Sequence, residues 1–500
     1  MLSWISLGLP IQLCLFLDRI TFYTFSSSIH RIANGFYYDI DNNEMPTIIF
    51  LCLYLINFIL YFLLLLKLQE HKAQKYSLAI IILFSIVFRI ILIPSQLIHE
   101  NDIYRYLWDG KTFLNGINPY KFSPSDIFLH EYGIKEDYWD QEYNVFYKVR
   151  SFSEREEQKL NKLIELKNQN LDFYQRIGHR QVPTIYPPLA QIFFAFCVWL
   201  KKDSILLMKS VFTILDICVI VVLIEILKLV KLNPCNCLVY GWSPLVLKEI
   251  PNSGHYDSLA ILLMCLSLYF YLKKNHWGVS LMLALAALSK IFALGLLPIL
   301  GRELKRREWM VLGGILLLFY LPFILTDNTG IRRVWEGLII YNRNWFYNSS
   351  IFALIYASFK QFFPLLAQSL LTAKVLVGLI YLGVLFLLWK DLGRSDREVL
   401  HKCFMAVASL FLLSPVGDPW YYCWVIPFLC VFPYRSWIIL SALLILSYLN
   451  FRSDIMMTTA RFFHIPLINW IIYLPFFFIY WIVDRKRTCV TIRNQIMKLL

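Results

Sequence analysis

Apolar residues in this chain gather in long runs instead of alternating with polar ones. Ile48–Leu66, Leu78–Ile93, Ile205–Leu227, Leu259–Leu272, Met310–Leu325, Val375–Trp389 and Trp470–Val483 each contain few charges. Their lengths of roughly 14 to 23 residues approach what is needed to cross a hydrocarbon core. Several are a little short, so tilt, half-spans and helix ends buried in protein are expected. Met1–Phe25 is also apolar; with no basic leader and no small-residue cleavage site, it reads as a retained first span or an interfacial helix. The pattern predicts an all-α integral membrane bundle of about 12 or 13 spans, without an internal repeat.

Basic clusters orient the spans, because loops rich in Lys and Arg stay in the cytoplasm. Lys67, Lys72 and Lys75 mark one such turn, and Lys201-Lys202, Lys273-Lys274, Arg302–Arg307, Lys390–Lys402 and the tail Arg485–Lys498 mark others. The span Leu78–Pro94 then leads outward, and His99–Pro183 becomes a long external polar segment. A segment of that length is usually functional. Within it, Ser153-Glu-Arg-Glu156 fits a capping box, and Leu160, Leu163, Ile164 and Leu171 follow at near-helical spacing. An amphipathic helix is expected there. Asn252–Asp257, Thr326–Ser350, Ser414–Trp420 and Arg452–His464 fall on the same outer side, which requires Asn233–Ile250 to be re-entrant. The chain divides into N-terminal spans (1–98), an external catalytic loop (99–185), core spans with short half-helices (186–325), a second external loop (326–350), and C-terminal spans with a cytoplasmic tail (351–500).

Composition agrees with a membrane protein. Hydrophobic residues make up 58% of the 500 residues and charged ones 16%, too few to cover a soluble surface. The net charge of +14 does not point to nucleic acid, because the basic residues sit at the ends of apolar runs and face anionic headgroups. The eleven cysteines fall mostly inside apolar runs (Cys14, Cys52, Cys197, Cys218, Cys265, Cys403, Cys430) and read as buried hydrophobes. Cys235 and Cys237 alone make a poor zinc site.

Charged side chains near membrane depth need a reason. The densest group is His99-Glu-Asn-Asp-Ile-Tyr-Arg-Tyr-Leu-Trp-Asp-Gly110, followed by Asn115-Gly-Ile-Asn-Pro-Tyr120. Glu100 and Asp102 lie just beyond a span. If a helix begins near Asn101, Asp102 sits in its first turn, where the helix dipole favours the carboxylate. Arg105 would then pair with Asp102 or hold a phosphate. The cluster is either a helix N-terminus with a surface ion pair or a functional site, and the aromatic Tyr104, Tyr106 and Trp108 favour the latter. Lys290 interrupts Leu281–Leu300, a stretch too short for two spans but flanked by basic clusters on both sides. Two half-helices with Lys290 at the tip satisfy this, and that lysine is either a phosphate ligand or a snorkelling side chain. Arg332, Arg333 and Arg343, with Trp335, Tyr341 and Trp345, either grip phosphate or anchor the interface. His255 and Asp257 flank a predicted helix start, as a cap or as sugar- or acid-binding groups, and Glu249 lies near the same face. Arg89 reads as a structural ion pair or snorkel. Glu100 and Asp102 can also hold a divalent cation through oxygens, although no metal is required; Asp39-Ile-Asp41 is a weaker pattern of the same kind.

These motifs, taken in order, resemble the GT-C superfamily of polyprenyl-phosphate-sugar-dependent glycosyltransferases, in particular bacterial mannosyltransferase-like enzymes. The resemblance rests on Asp102–Gly110 with Gly116-Ile-Asn-Pro-Tyr120, Tyr186-Pro-Pro-Leu-Ala-Gln191, Gly254-His-Tyr-Asp257, Ala286-Ala-Leu-Ser-Lys290 with Leu297-Pro298, and Pro415–Tyr421. In the last, Asp418 stands where His is common. It covers residues 85–425 or so and implies a GT-C type multi-span helical bundle whose large external loop carries amphipathic helices. It also implies an inverting transfer of a hexose, mannose in the family's usual case, from a polyprenyl-phosphate donor to a lipid-linked or glycan acceptor. By position the base is Asp102, with Glu100 as a second candidate. Lys290, Arg105, Arg332, Arg333 and Arg343 are the donor-phosphate candidates, and His255, Asp257, Tyr104, Trp108, Tyr186 and Trp420 the substrate-binding ones. The expected place is the inner (plasma) membrane of a bacterium, among membrane lipids, with the site on the periplasmic side. A lipid-phosphate leaving group makes a nucleotide-binding domain unnecessary, and none of the usual soluble-enzyme motifs is present. A transporter or flippase of a lipid-linked saccharide is the competing reading, but it predicts paired broken helices in two related halves. A polysaccharide ligase or polymerase would carry its long loop late in the chain, not early.

Overall fold

A computed structural model describes residues 45–70, 77–97, 100–140, 145–362, 370–391, 395–451 and 459–485. The expected first span at Met1–Phe25, the Asp39/Asp41 pair, Lys72, Lys75, His99 and the basic tail beyond 485 lie outside these residues. Helices longer than a single turn are labelled here: α1 Met45–Glu70, α2 Ser77–Leu92, α3 Asp102–Leu114, α4 Pro124–Glu131, α5 Glu154–Asn168, α6 Leu171–Gln175, α7 Pro188–Leu200, α8 Ile205–Leu229 and α9 Asp257–Leu272. They continue with α10 His276–Ser289, α11 Arg306–Leu325, α12 Gly330–Asn344, α13 Ile351–Phe362, α14 Leu370–Lys390, α15 Asp396–Leu413, α16 Arg435–Leu443 and α17 Leu467–Ile479.

The chain is an all-α integral membrane protein. Among the described residues, Ile48–Lys67, Ile205–Leu229, Arg306–Asn328, Leu370–Lys390 and Leu467–Asp484 are long and apolar enough to cross a bilayer. Helices α11 and α14 leave large apolar side chains open, among them Leu317, Leu318 and Leu325 on one and Leu379, Leu382 and Leu387 on the other. In water such faces would be sticky patches; against lipid they need no cover. Further expected spans appear among the described residues as shorter apolar helices. Ser77–Leu92, Pro188–Leu200, Asp257–Leu272, His276–Ser289, Ile351–Phe362 and Arg435–Asn450 are apolar but shorter.

Proline explains part of the shortening. In the stretch expected to be re-entrant, Pro234 and Pro244 each remove a backbone N–H, and Pro251 does so just beyond it. The chain there becomes a staircase of turns: Pro234–Cys237, Leu238–Gly241, Pro244–Leu247 and the wide-turned Lys248–Asn252. From Cys237 to Ala260 every residue is buried. Irregular backbone at such depth is tolerated where protein surrounds it.

The segment expected as an external loop is partly a core element. Residues 103–112 of α3 are all buried. α3 crosses α7 closely because Gly110 lacks a side chain; a Cβ there would stand 2.6 Å from both the carbonyl carbon and the oxygen of Phe194. The polar remainder folds over it. α5 starts at the expected capping box, where the N–H and Oγ of Ser153 donate to Glu156 at 2.8 and 2.9 Å. Its apolar stripe is Leu160, Leu163 and Leu166, while Leu171 begins the separate helix α6 and is 45% exposed. A short antiparallel hairpin, Tyr138–Asp140 with Val145–Tyr147, has no counterpart in the expectations.

Arg89 resolves as a structural ion pair. Its Nε donates to Asp216 at 2.6 Å with both side chains fully buried. Its Nη1 donates to the carbonyls of Ser85 and Gly241, and the Tyr240 hydroxyl donates to the other Asp216 oxygen. The pair ties α2, α8 and the Leu238–Gly241 turn together.

Candidate active site

Three chain breaks converge on one place: the start of α3, the turn before α9, and the turn Ser414–Trp420 after α15. Asp102 is the first residue of α3, as the sequence predicts. Its side chain remains 36% exposed, whereas Glu100 is 7% exposed and His255 1%. Gly254 holds a positive φ of 73°, a backbone form suited to glycine, and so turns His255 toward the acids. The imidazole lies flat on Trp420, with ring centres 4.5 Å apart and planes at 17°. Its Nδ1 is 4.0 Å from Asp102 Oδ2 and 3.5 Å from the Tyr106 hydroxyl, which itself donates to Asp102 at 3.4 Å. Its Nε2 is 3.5 Å from Glu249 and 3.8 Å from Glu100.

Tyr448 closes the far side. Its hydroxyl lies 3.0 Å from Glu100 and 2.9 Å from Glu249. Lys248 Nζ donates to that hydroxyl at 2.9 Å and to Ser253 Oγ at 2.7 Å. Burial pushes the Glu100 carboxyl well above the usual range; Lys248 opposes this, and Glu249, Asp102 and Asp418 add to it. Burial raises Asp102 as well, against the pull of Lys290. Asp418 is driven well upward by burial and by the charges of Asp102 and Glu249. Burial, with Lys248 and Lys290 nearby, lowers His255 far enough to keep its imidazole neutral at pH 7. Titratable groups shifted by burial and by charged neighbours in one recess mark a candidate site for acid–base chemistry.

Lys290 sits at the break between α10 and the turns that follow, as the half-helix expectation has it. Its Nζ is 2.7 and 2.8 Å from the two Asp257 oxygens, and Trp424 Nε1 donates to Asp257 at 2.6 Å. Asp257 therefore does not cap α9; it is the counter-ion of Lys290. Three rings surround the ammonium, Tyr256 at 4.8 Å, Tyr421 at 5.0 Å and Trp424 at 5.5 Å. From here a cavity of about 1100 Å³ opens, lined almost wholly by apolar side chains. It follows α14 past Tyr381 and Phe386 to Trp389 and Arg302, the latter donating to the Trp389 carbonyl at 2.8 Å. Tyr186 lines its mouth and meets Tyr106 and Tyr256 edge-on at 5.2 and 5.4 Å, so the groove and the acid cluster share a wall.

Other expected site residues are placed elsewhere. Arg105 does not pair with Asp102: its Nε binds Asp109, one turn onward, at 2.8 Å, and its Nη1 the Val182 carbonyl at 3.0 Å. Tyr104 and Trp108, on one face of α3, pack against Phe173 and Tyr174, and Arg176 donates to the Tyr104 hydroxyl. They hold the external helices in place and do not face the cluster. Arg333 is filled by Asp126, Glu336 and the Lys121 carbonyl. Arg332 and Arg343 lie exposed on α12, whose Tyr341 and Asn342 line the groove. Sequence reasoning did not single out Lys248, Tyr448, Tyr421 or Trp424. A charged Lys248-Glu249 pair within an apolar stretch was the available signal for the first. Tyr448 had none.

No curated protein and no solved structure matches the chain. Residues 184–415 match the family model described as Glycosyltransferase family 87. The matched stretch holds Tyr186, Glu249, His255, Asp257, Lys290 and most of the groove, and it begins after Asp102 and ends before Asp418. This similarity, on a scaffold of membrane-crossing helices, supports a membrane glycosyltransferase.

Proposed function

We propose that the protein transfers a hexose from a polyprenyl-phosphate donor to a lipid-linked or glycan acceptor, with inversion, at the external face of a bacterial inner membrane. The observation that carries this reading is the shared wall between an apolar groove with Lys290 at its mouth and a buried acid cluster with one open carboxylate, Asp102. A prenyl chain fits the groove because its lining is mostly apolar, with the cations Lys290 and Arg302 set apart along it. Lys290 meets the phosphate as negative charge builds on it in the transition state. Asp102 takes the acceptor's proton as the hydroxyl attacks the anomeric carbon; the C–O bond to phosphate breaks, and the lipid phosphate leaves with the electron pair. Attack opposite the leaving group inverts the centre. The raised Asp102 is a better match to a hydroxyl proton than an ordinary carboxylate. Trp420, partly exposed and backed by the buried His255, offers the aromatic surface against which a sugar ring is set. Mannose follows from the resemblance to mannosyltransferase-like enzymes. Membrane lipids, not nucleic acid, are the surroundings.

The test uses full-length protein in lipid nanodiscs with labelled polyprenyl-phosphate hexoses and, in parallel, nucleotide hexoses, over a panel of glycolipid acceptors. Product is expected from the lipid-phosphate donors alone. Product from nucleotide sugars alone, or none from any pair, would overturn the assignment.

A further inference from the structure

The acid cluster carries a second property that does not depend on the identity of the donor. Glu100, Glu249 and His255 each turn one ligand-type atom toward a common point, and these atoms all lie within 4.8 Å of one another. His255 Nε2 is buried and has no hydrogen-bond partner, although it points at two carboxylates. Its other nitrogen neighbours the Tyr106 hydroxyl at 3.5 Å, and that hydroxyl donates onward to Asp102. In that direction the proton of the neutral ring sits on Nδ1, so Nε2 aims a lone pair at two carboxylate oxygens. Two carboxyl groups and a lone pair at this spacing need a cation or a shared proton between them.

The hydrogen bonds do not meet this need. The Tyr448 hydroxyl has one proton for Glu100 and Glu249, which both lie within about 3 Å of it. Lys248 lies 3.5 Å from Glu249 and is already engaged with Tyr448 and Ser253. Lys290 pairs with Asp257 and faces the groove. Glu100 and Glu249 thus have Lys248 as the cation beside them, and its donors are divided among Glu249, Tyr448 and Ser253. Spacing fits a metal ion. Four ligands at about 2.0–2.2 Å in a tetrahedron lie about 3.3–3.6 Å apart, and His255 Nε2 stands 3.5 and 3.8 Å from its two acids.

We infer that Glu100, Glu249 and His255 form a binding site for a divalent transition cation, with Tyr106 and Tyr448 as the groups that orient its ligands. One imidazole and two carboxylates suit Mn²⁺ or Zn²⁺ better than Mg²⁺ or Ca²⁺, which prefer oxygen alone. The stacked Trp420 and the Tyr106 bond fix the ring as outer partners of metal-bound histidines do. The cation would offset the negative charge of the recess behind Asp102.

The probe is Mn²⁺ alone. Full-length protein in nanodiscs is stripped with chelator and titrated with Mn²⁺ under electron paramagnetic resonance. One ion per chain is expected, with nitrogen coupling from a single imidazole in the pulsed spectrum. His255→Gln should abolish the nitrogen coupling, and Glu249→Gln should weaken binding at least ~10-fold, while Glu225→Gln on the exposed side of α8 leaves both unchanged. Absence of stoichiometric binding at millimolar Mn²⁺, or binding without nitrogen coupling, overturns the site. The wild-type spectrum decides this even if a variant fails to fold. Since no transfer is measured, failure here is distinct from failure of the donor assignment.

Discussion

Asp102→Asn removes one negative charge and almost nothing else. The amide has the shape of the carboxylate, so the Tyr106 contact at 3.4 Å and the His255 contact at 4.0 Å survive as neutral ones. The position is 36% exposed and the raised carboxyl is not a source of stability, so the fold should tolerate the change or gain slightly. What is lost is the proton acceptor. A positioned general base contributes about 10²–10⁴-fold, equivalent to about 2.7–5.4 kcal/mol of barrier at 1.36 kcal/mol per decade. The assay is transfer of labelled hexose in nanodiscs at saturating donor and acceptor, so that kcat carries the loss and KM for the donor stays near wild type. Wild type itself should lose activity as the pH falls through a pKa above the ordinary 3.9 of aspartate, because the base works deprotonated. Glu100→Gln in parallel separates the two acids. Retention of kcat within threefold in Asp102→Asn, with loss in Glu100→Gln, would refute the assignment of the base.

Further outcomes follow from other contacts. Lys290→Gln should weaken donor binding roughly 10- to 150-fold, the span of one charge-assisted hydrogen bond, and lower the melting temperature by stranding Asp257; adding Asp257→Asn should restore stability but not donor affinity, measured by thermal shift and by binding of fluorescent prenyl phosphate. Asp216→Ala leaves Arg89 charged and unpaired in a dry site and should destabilise by about 3–5 kcal/mol, while Arg89→Met with Asp216→Leu should recover most of that in detergent unfolding curves. Glu156 is pushed up by partial burial, but Lys121 and the Ser153 cap pull it down to about 2. A depressed carboxyl stabilises above its ordinary 4.5 and stops doing so as the pH falls toward 2. Glu156→Gln should therefore cost about 2 kcal/mol at pH 7 after allowance for solvent screening, and the gap to wild type should narrow steadily below pH 4.5 in thermal unfolding. Gly110→Ala should destabilise by more than 1 kcal/mol, since its methyl meets backbone of α7 and not a yielding side chain.

The sequence made the membrane scaffold legible because apolar runs report burial in lipid directly. The start of α3 at Asp102, the capping box of α5 and the break at Lys290 were readable for local reasons: a dipole, a cap, a charge out of place. What it hid were choices between near neighbours. Arg105 had Asp102 three residues back and Asp109 four ahead, and the helix face selects the latter. Tyr104 and Tyr106 are alike in composition, yet a two-residue offset on α3 sends one to Phe173 and the other to His255. Tyr448 reaches Glu100 across 348 positions, and no local pattern encodes such a distance. A short apolar run reads the same whether it crosses or turns back; near residues 233–252, three prolines break the run into buried turns.

The Arg89–Asp216 pair imposes an order on biosynthesis. The aspartate follows the arginine by 127 residues. At about 5–20 residues per second, α2 waits roughly 6–25 s for its partner to leave the ribosome. An arginine at the centre of a helix costs about 2.5–3.5 kcal/mol to insert, and Arg89 lies only one turn from the end of α2, so it can rest at the interface meanwhile. The buried ion pair that holds Arg89 can therefore close only after α8 has been made.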